Sequence, residues 1–343
     1  MLKIDKIDVF LPNSPKNQVF DSRDLISYNS SKTKVKHNNF FNIINKKNTL
    51  HIRSAWKLSL SNNYKYHSKK MFLLEIKSKT SIYKGILCGI SSNLLNNEIV
   101  IPHESVFKKR VKNLKNYLDI VKLQAEPVVF GTRFSNKINL EIESALKKKP
   151  IVDFNYKMIN YSIRNFELKD SINNFTKFFI VDGHHRTSSF RLFSKNSNKE
   201  YQLLTFLTDI DNIKSDKFTW EVTDPSKNLI NSFKKLSKSK SIPNDNLFWA
   251  FYKNEYYIFN NSELIDLNII SYEKWIVRYG DLIKRYHSYH KDEINFSDSI
   301  VFNYPTLSFN EIIDSINKHE VFPPKSTFLE PKMLTGLTIN ELV

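Results

Sequence analysis

Cysteine occurs once in this chain, at Cys88, which excludes intrachain disulfides and cysteine-based zinc sites. Cys88 lies within the apolar run YKGILCGI and reads as a small buried hydrophobe rather than a nucleophile. Glycine is scarce as well, confined to positions 85, 89, 131, 183, 280 and 336. That excludes a GxxxxGK(S/T) phosphate loop, a GxGxxG dinucleotide turn and a kinase-type glycine-rich loop. A nucleotide, if this protein handles one, must be held by a helix start and by side chains. No stretch approaches the roughly 18 apolar residues of a membrane span, and the opening MLKIDKIDVFLPN lacks the apolar core of a signal peptide. A cytoplasmic protein with no membrane contact is the expectation. Arginine supplies only nine of the 52 basic residues, so the net charge of +17 is mostly scattered lysine. With abundant asparagine, isoleucine and phenylalanine, this looks like the drift of an AT-rich genome; a dedicated nucleic-acid surface favours clustered arginine among aromatics. A nucleic-acid partner is therefore not expected, though the charge can draw in anionic small molecules.

What is present is concentrated between Phe178 and Phe193, FFIVDGHHRTSSFRLF. Phe178–Val181 has the length and composition of a buried strand. Asp182-Gly183 is a strong turn pair, and Phe190 and Phe193 then fall on one face of a helix. A strand that turns into a helix presents backbone N–H groups to an anion, phosphate above all. Arg186 can add a bidentate phosphate contact, while Asp182, His184 and His185 can hold a metal or move a proton. Four such side chains in five residues are hard to explain as packing.

Along the 343 residues the pattern predicts a mixed α/β fold, one large domain or two modest ones. Residues 1–50 are weakly periodic, with a short strand at Ile7–Leu11. Strands are predicted for LHIRSAWKLSL, KMFLLEIK, YKGILCGI and EIVIP. A helix follows, carried by Phe107, Val111, Leu114, Leu118 and Val121, with Ser105 as its cap and Glu104 at its positive end. Then come a strand at Pro127–Gly131, a helix near Leu140–Lys148, a strand near Tyr156–Arg164, a helix near Ile172–Lys177 and a strand at Gln202–Thr208. Beyond 212 the reading gives a helix at Ser226–Leu236, a solvated loop at Lys234–Ser241, and a hairpin at LFWAFYKN and EYYIFN. The hairpin aromatics Phe248, Trp249, Phe251, Tyr256 and Tyr257 read as packing. A helix near Tyr272–Tyr286, a strand at Ile300–Asn303 and a helix near Phe309–Lys318 complete it. His287 and His290 are three apart; they can ligate a metal or be plain exposed polar side chains.

Three blocks, in order, resemble a family of unknown function, DUF1015. They are His103-Glu104 with Arg110, Leu114 and Pro127 downstream; Asp182-Gly183-His184-His185-Arg186; and Pro323-Pro324-Lys325-Ser326-Thr327-Phe328-Leu329-Glu330-Pro331-Lys332 with Gly336-Leu337. The match runs over roughly residues 80–343. Two departures stand out. The family's opening PPYDV-type segment has only Asp21-Ser22-Arg23-Asp24-Leu25-Ile26 as a counterpart, and its PTHR-like motif is replaced by FTWEVTDPSKNL. The DGHHR element is also similar to the DGxHR signature of the ParB and sulfiredoxin superfamily, some of whose members are free-serine kinases.

The resemblance implies a ParB/sulfiredoxin-like core with N- and C-terminal elaborations, divided as 1–79, a core at 80–211, a variable insertion at 212–299, and a segment at 300–343 completing the core. It implies ATP or ADP, with Mg²⁺, at Gly183, His185, Arg186 and Thr187, and a phosphotransferase acting on a small hydroxyl compound. Lys325, Ser326, Thr327 and Lys332 can clasp phosphate from a proline-stiffened segment, or form a C-terminal clamp on the core. Glu104 would take the hydroxyl proton with His103 at the substrate, and Asp182 would bind the metal or orient His184 or His185. Two other readings stand beside it: a ParB-like nucleotide-responsive module without turnover, and a degenerate homologue serving as a scaffold.

Overall fold

The computed structural model describes residues 2–22, 39–44, 48–79, 81–195, 197, 199–215, 218–233, 236–244, 247–259, 283–287, 299–303, 308–318, 327 and 329–342. The chain divides into two compact units, 1–102 with 108–213 and 331–343, and 103–107 with 214–330. It is a mixed α/β protein.

The first unit is built on nine strands: β1 (Ile7–Pro12), β2 (Tyr64–Lys77), β3 (Ile82–Ser91), β4 (Val100–Ile101), β5 (Val128–Thr132), β6 (Val152–Tyr156), β7 (Ile159–Phe166), β8 (Phe178–Asp182) and β9 (Gln202–Asp209). They run in the order β4-β8-β5-β9-β3-β2-β7-β6, with β1 paired to the first half of β2. β9 is parallel to β5 and β4 is parallel to β8, while the other pairs are antiparallel. The central strands read as near-continuous apolar runs because both faces are covered. Ile86, Cys88, Ile90, Phe130, Phe178, Ile180, Leu203 and Leu207 form the core with Phe190 and Phe193. Cys88 is fully buried, and burial pushes its thiol pKa up.

Among the described residues, six helices accompany the sheet: α1 (Pro15–Gln18), α2 (Phe40–Ile44), α3 (Thr49–Asn63), α4 (Lys108–Val121), α5 (Asn136–Leu146) and α6 (His184–Lys195). α3 corrects the strand predicted for LHIRSAWKLSL. Ile52 and Trp56, four apart, are the buried pair, and the Asn48 side chain caps the helix by accepting the His51 N–H at 2.9 Å. The predicted Tyr156–Arg164 strand is a hairpin, β6 and β7, turning at Lys157-Met158 with positive φ at both residues. The helix predicted near Ile172–Lys177 is absent. Asn173 instead bonds the N–H and C=O of Ile4, and Phe175 exchanges backbone bonds with Leu2.

The C-terminal residues 331–342 return to this unit. Thr335 exchanges backbone bonds with Phe20, Ile339 does so with Phe10, and Asn340–Glu341 pair with Leu123–Gln124. Gly336 has φ +84°, and a Cβ there would lie 2.7 Å from Phe40 Cβ. That gives this glycine a packing reason.

The second unit holds a six-stranded antiparallel sheet of β10 (Phe218–Val222), β11 (Ser237–Ser239), β12 (Trp249–Tyr252), β13 (Glu255–Ile258), β14 (Ile283–His287) and β15 (Ile300–Asn303), in the order β11-β13-β12-β15-β10-β14. α7 (Lys227–Ser232) and α8 (Phe309–Asn317) belong with it, and α8 begins in a Ser308–Glu311 capping box. The expected hairpin is present, its core formed by Phe233, Phe248, Phe259 and Phe302. Two expectations change. Ser237–Ser239 is an edge strand rather than loop, and Ile283–His287 is a strand where a helix was predicted; His290 and residues 271–282 lie outside the described residues. Among the described residues no helix is long and apolar enough to cross a membrane.

Candidate functional site

β8 is buried through Phe178, Ile180 and Val181 and ends at Asp182. Gly183 then takes φ +96°, and a Cβ there would sit 2.9 Å from Val128 Cγ1 on β5. Glycine is required twice over, by the backbone angle and by the neighbour. α6 starts at the next residue, and its first intrahelical bond runs from Thr187 N–H to Gly183 C=O at 2.8 Å. The N–H groups of His184, His185 and Arg186 lie in the first turn of this helix, at its positive end. His184, His185 and Thr187 are buried with Phe190 and Phe193. The Thr187 Oγ1 makes no hydrogen bond among the described residues, so its hydroxyl is a core group here rather than a ligand-facing one. Arg191 ties the helix to β4, donating to Val100 C=O at 2.9 Å.

Arg186 turns back along the strand. Its Nη2 donates to Asp182 Oδ2 at 2.6 Å, and its Nη1 donates to the Glu126 and Pro127 carbonyls at 2.9 and 3.0 Å. Nη1 also lies 2.8 Å from Glu126 Oε1, while Thr335 Oγ1 donates to Glu126 Oε2 at 2.6 Å. Lys332 pairs with the other Asp182 oxygen, Oδ1. These four charged side chains are between 18% and 26% exposed. Two cations meet two carboxylates, and the charges balance. The sequence reading has Arg186 offering its fork to a phosphate; here both Nη atoms have protein partners and brace the strand–turn–helix against the entry to β5. Glu126 was missed, since it stands before Pro127 in no recognisable pattern. An apolar cavity of about 210 Å³ lies beside this network, lined by Leu118, Val128, Phe190 and Leu203 with Arg186, Glu126 and Thr335.

A second cluster lies in the other unit. His103 is completely buried and Glu104 nearly so. Glu104 Oε1 accepts the Thr327 N–H at 2.8 Å and also the Thr327 hydroxyl. His103 Nε2 lies 2.9 Å from that hydroxyl oxygen, and its ring meets Phe309 edge-on. A threonine has one hydroxyl proton. If the Glu104 carboxylate receives it, His103 Nε2 must be the donor in the other bond. The expectation that Glu104 serves the start of α4 is corrected, because the helix begins at Lys108, four residues later, and the carboxylate is bound to Thr327. Lys325 and Ser326 lie outside the described residues.

Asp182 does not suit a metal held by the protein alone. Its two oxygens are paired with Lys332 and Arg186, and among the described residues no group of three His, Cys, Asp or Glu is set to hold an ion.

The α/β core has a counterpart among known proteins. Residues 34–213, more than half of the chain, match the family model described as "Protein of unknown function (DUF1015)", and the chain belongs to this family. No curated protein matches the chain. Among solved structures it is similar to SbnI with C-terminal truncation from Staphylococcus aureus, at 11% identity, 71% of this chain, 81% of that one and a TM-score of 0.43. It is also similar to a free serine kinase in complex with AMP, at 13% identity, 74% and 91% coverage and a TM-score of 0.44. A conserved hypothetical protein from Pyrococcus furiosus follows at 13%, 72% and 93%, and 0.42. At these identities and scores the likenesses decide nothing about function.

Proposed function

We propose that this protein is a nucleotide-dependent phosphotransferase acting on a small hydroxyl compound, with free serine the first acceptor to test and ATP or ADP as donor. The observation that carries the proposal is the start of α6. There, first-turn amides follow a glycine that a side chain cannot replace, with Arg186 and Lys332 both anchored on Asp182. Phosphoryl transfer asks a protein chiefly for positioned phosphates and charge neutralisation, and first-turn amides at a helix's positive end answer the first of these. In this reading the amides of His184–Arg186 hold phosphate, and Lys332 and Arg186 set the local charge. On the motif alone, His103 and Glu104 are assigned to the acceptor, with Glu104 taking the hydroxyl proton. Gly183 and His185 shape the nucleotide side, and Lys325, Ser326 and Thr327 are assigned to phosphate on the motif alone. Mg²⁺ is given no step, since Asp182 would have to release an ion pair to receive it.

The test is incubation with ATP or ADP and a panel of small alcohols, serine first, with phosphorylated product detected by mass spectrometry. Product formed by the wild type and not by Glu104→Gln supports the reading. Nucleotide binding with no product from any acceptor contradicts it.

A second reading, a degenerate homologue whose site serves as a scaffold, is favoured by one observation. Where relatives carry a PTHR-like motif, β10 reads Phe218-Thr219-Trp220-Glu221-Val222, and Glu221 is buried, accepting from Ser299 Oγ at 2.6 Å. A nucleotide-responsive binding module without turnover would instead be selected by salt-sensitive retention of DNA or RNA with no product. Absence of nucleotide, nucleic-acid and product signals together would leave the scaffold reading.

A further inference from the structure

The first unit has a second concave surface that shares no residue with the α6 start. It is a cleft of about 700 Å³ among β1, β2, the turn before β6 and the end of β7. Lys6, Lys65, Lys70 and Lys148 line it with His67, and Glu167 is the one acid among the described lining residues. Scattered lysine is ordinary for this chain; four around one cavity with a single carboxylate are not.

The fold holds this arrangement in place. The β1–β2 register pairs Val9 with His67 but Ile7 with Lys70, so β2 carries an extra residue. Lys69 takes up the irregularity at φ +45°, its N–H bound to Asp8 Oδ1 at 2.8 Å. In an unbroken strand Lys65, His67 and Lys69 would share a face; the bulge shifts the phase and brings Lys70 to the cleft beside Lys65 and His67. Lys148 is fixed through its carbonyl, which accepts from Arg164 Nε at 3.0 Å, and the Ile151 N–H reaches Ile163 C=O at 2.8 Å.

Electrostatics agree with the geometry. Glu167 is held below the usual carboxylate range, first by its hydrogen bond and charge contact with Lys6, paired at 2.6 Å, and further by Lys70 and Lys148. His67 is pushed below its ordinary value by burial first and then by Lys65 and Lys70. Four lysines against one carboxylate leave the cleft with an excess of positive charge, the reverse of the balanced Asp182 network.

We propose that this cleft binds a compact polyanion carrying two or more phosphate groups. Its volume is that of a small-ligand site. A nucleic-acid strand needs exposed aromatic faces for its bases, and the aromatic wall residue, Phe166, is 7% exposed. The inference does not depend on the phosphotransferase reading.

The experiment is a titration of the full chain with inorganic tripolyphosphate at constant ionic strength, following the His67 imidazole by NMR. The expected result is a saturable shift at His67 with its pKa moving upward, since a bound anion offsets the lysines. In a Lys65→Gln/Lys70→Gln variant, loss of two charge-assisted contacts should weaken binding by about tenfold or more. The readout is local, so phosphate binding at α6 cannot imitate it. Four results overturn the proposal: no saturation at His67, an equal response to inorganic phosphate (charge screening only), undiminished affinity in the double variant, or a single-stranded oligonucleotide that outcompetes tripolyphosphate.

Discussion

The two polar clusters are built on opposite principles. At the start of α6, Asp182, Arg186, Glu126 and Lys332 form a partly exposed network of ion pairs in which charge is balanced and the geometry braces the backbone. In the other unit, His103, Glu104 and Thr327 form a buried, compact group around one hydroxyl, where the variable quantity is the position of a proton. The first should therefore respond to mutation mainly through stability and ligand grip, the second mainly through chemistry.

The largest expected effect sharpens that contrast. Glu104→Gln keeps an acceptor oxygen for Thr327 but removes the proposed base. Turnover should fall by about 10²–10⁴-fold, the usual yield of general base catalysis, with little change in the denaturation midpoint. A large stability loss with unchanged turnover would break the comparison.

Gly183→Ala comes next, and its effect should be structural. Positive φ and the Val128 contact together should cost about 2–3 kcal/mol, measured by chemical denaturation. Arg186→Lys should cost about 2 kcal/mol, between the values for exposed and buried ion pairs, because an ammonium cannot reach Asp182, Glu126 and two carbonyls at once. Conservation of charge should not rescue it.

The smallest effect is a pH slope from the basic cleft. His67 titrates below its ordinary value of 6.5 in the fold. Between that lowered value and 6.5 the unfolded chain binds more protons, so stability falls as pH drops through this window. Lys65 and Lys70 contribute to the shift, with Lys6, Lys148 and Glu167 lining the same cleft. His67→Gln should flatten the slope, and an unchanged slope would mean that other groups set it.

Legibility in the sequence followed the range of the interactions. The strand, turn and helix from Phe178 to Phe193 were readable because every determinant is local: an apolar run, an Asp-Gly turn and phenylalanines on one face. The anchoring of Asp182 by Lys332, 150 residues away, was not, and neither was the role of Glu126, which acquires one only when β5 and β8 pair. Thr327 was flagged through the family ending, but its bond to Glu104 spans 223 residues and no periodicity carries it. The α3 misreading has a local cause. Alternation in LHIR and KLSL mimics a strand, while the pair that is buried, Ile52 and Trp56, has helical spacing. At Ile172–Lys177 a tertiary bond from Asn173 to Ile4 overrode a weak helical pattern.

The central claim is that nucleotide phosphate sits on the first-turn amides of α6. It is tested most directly by amide hydrogen exchange of the wild-type chain with and without ATP, resolved at residues 183–187. The account predicts slowed exchange at His184, His185 and Arg186 on ATP binding, weakened in Lys332→Gln. Binding of ATP that leaves these amides unchanged, or that protects only the residues around His67, would contradict it.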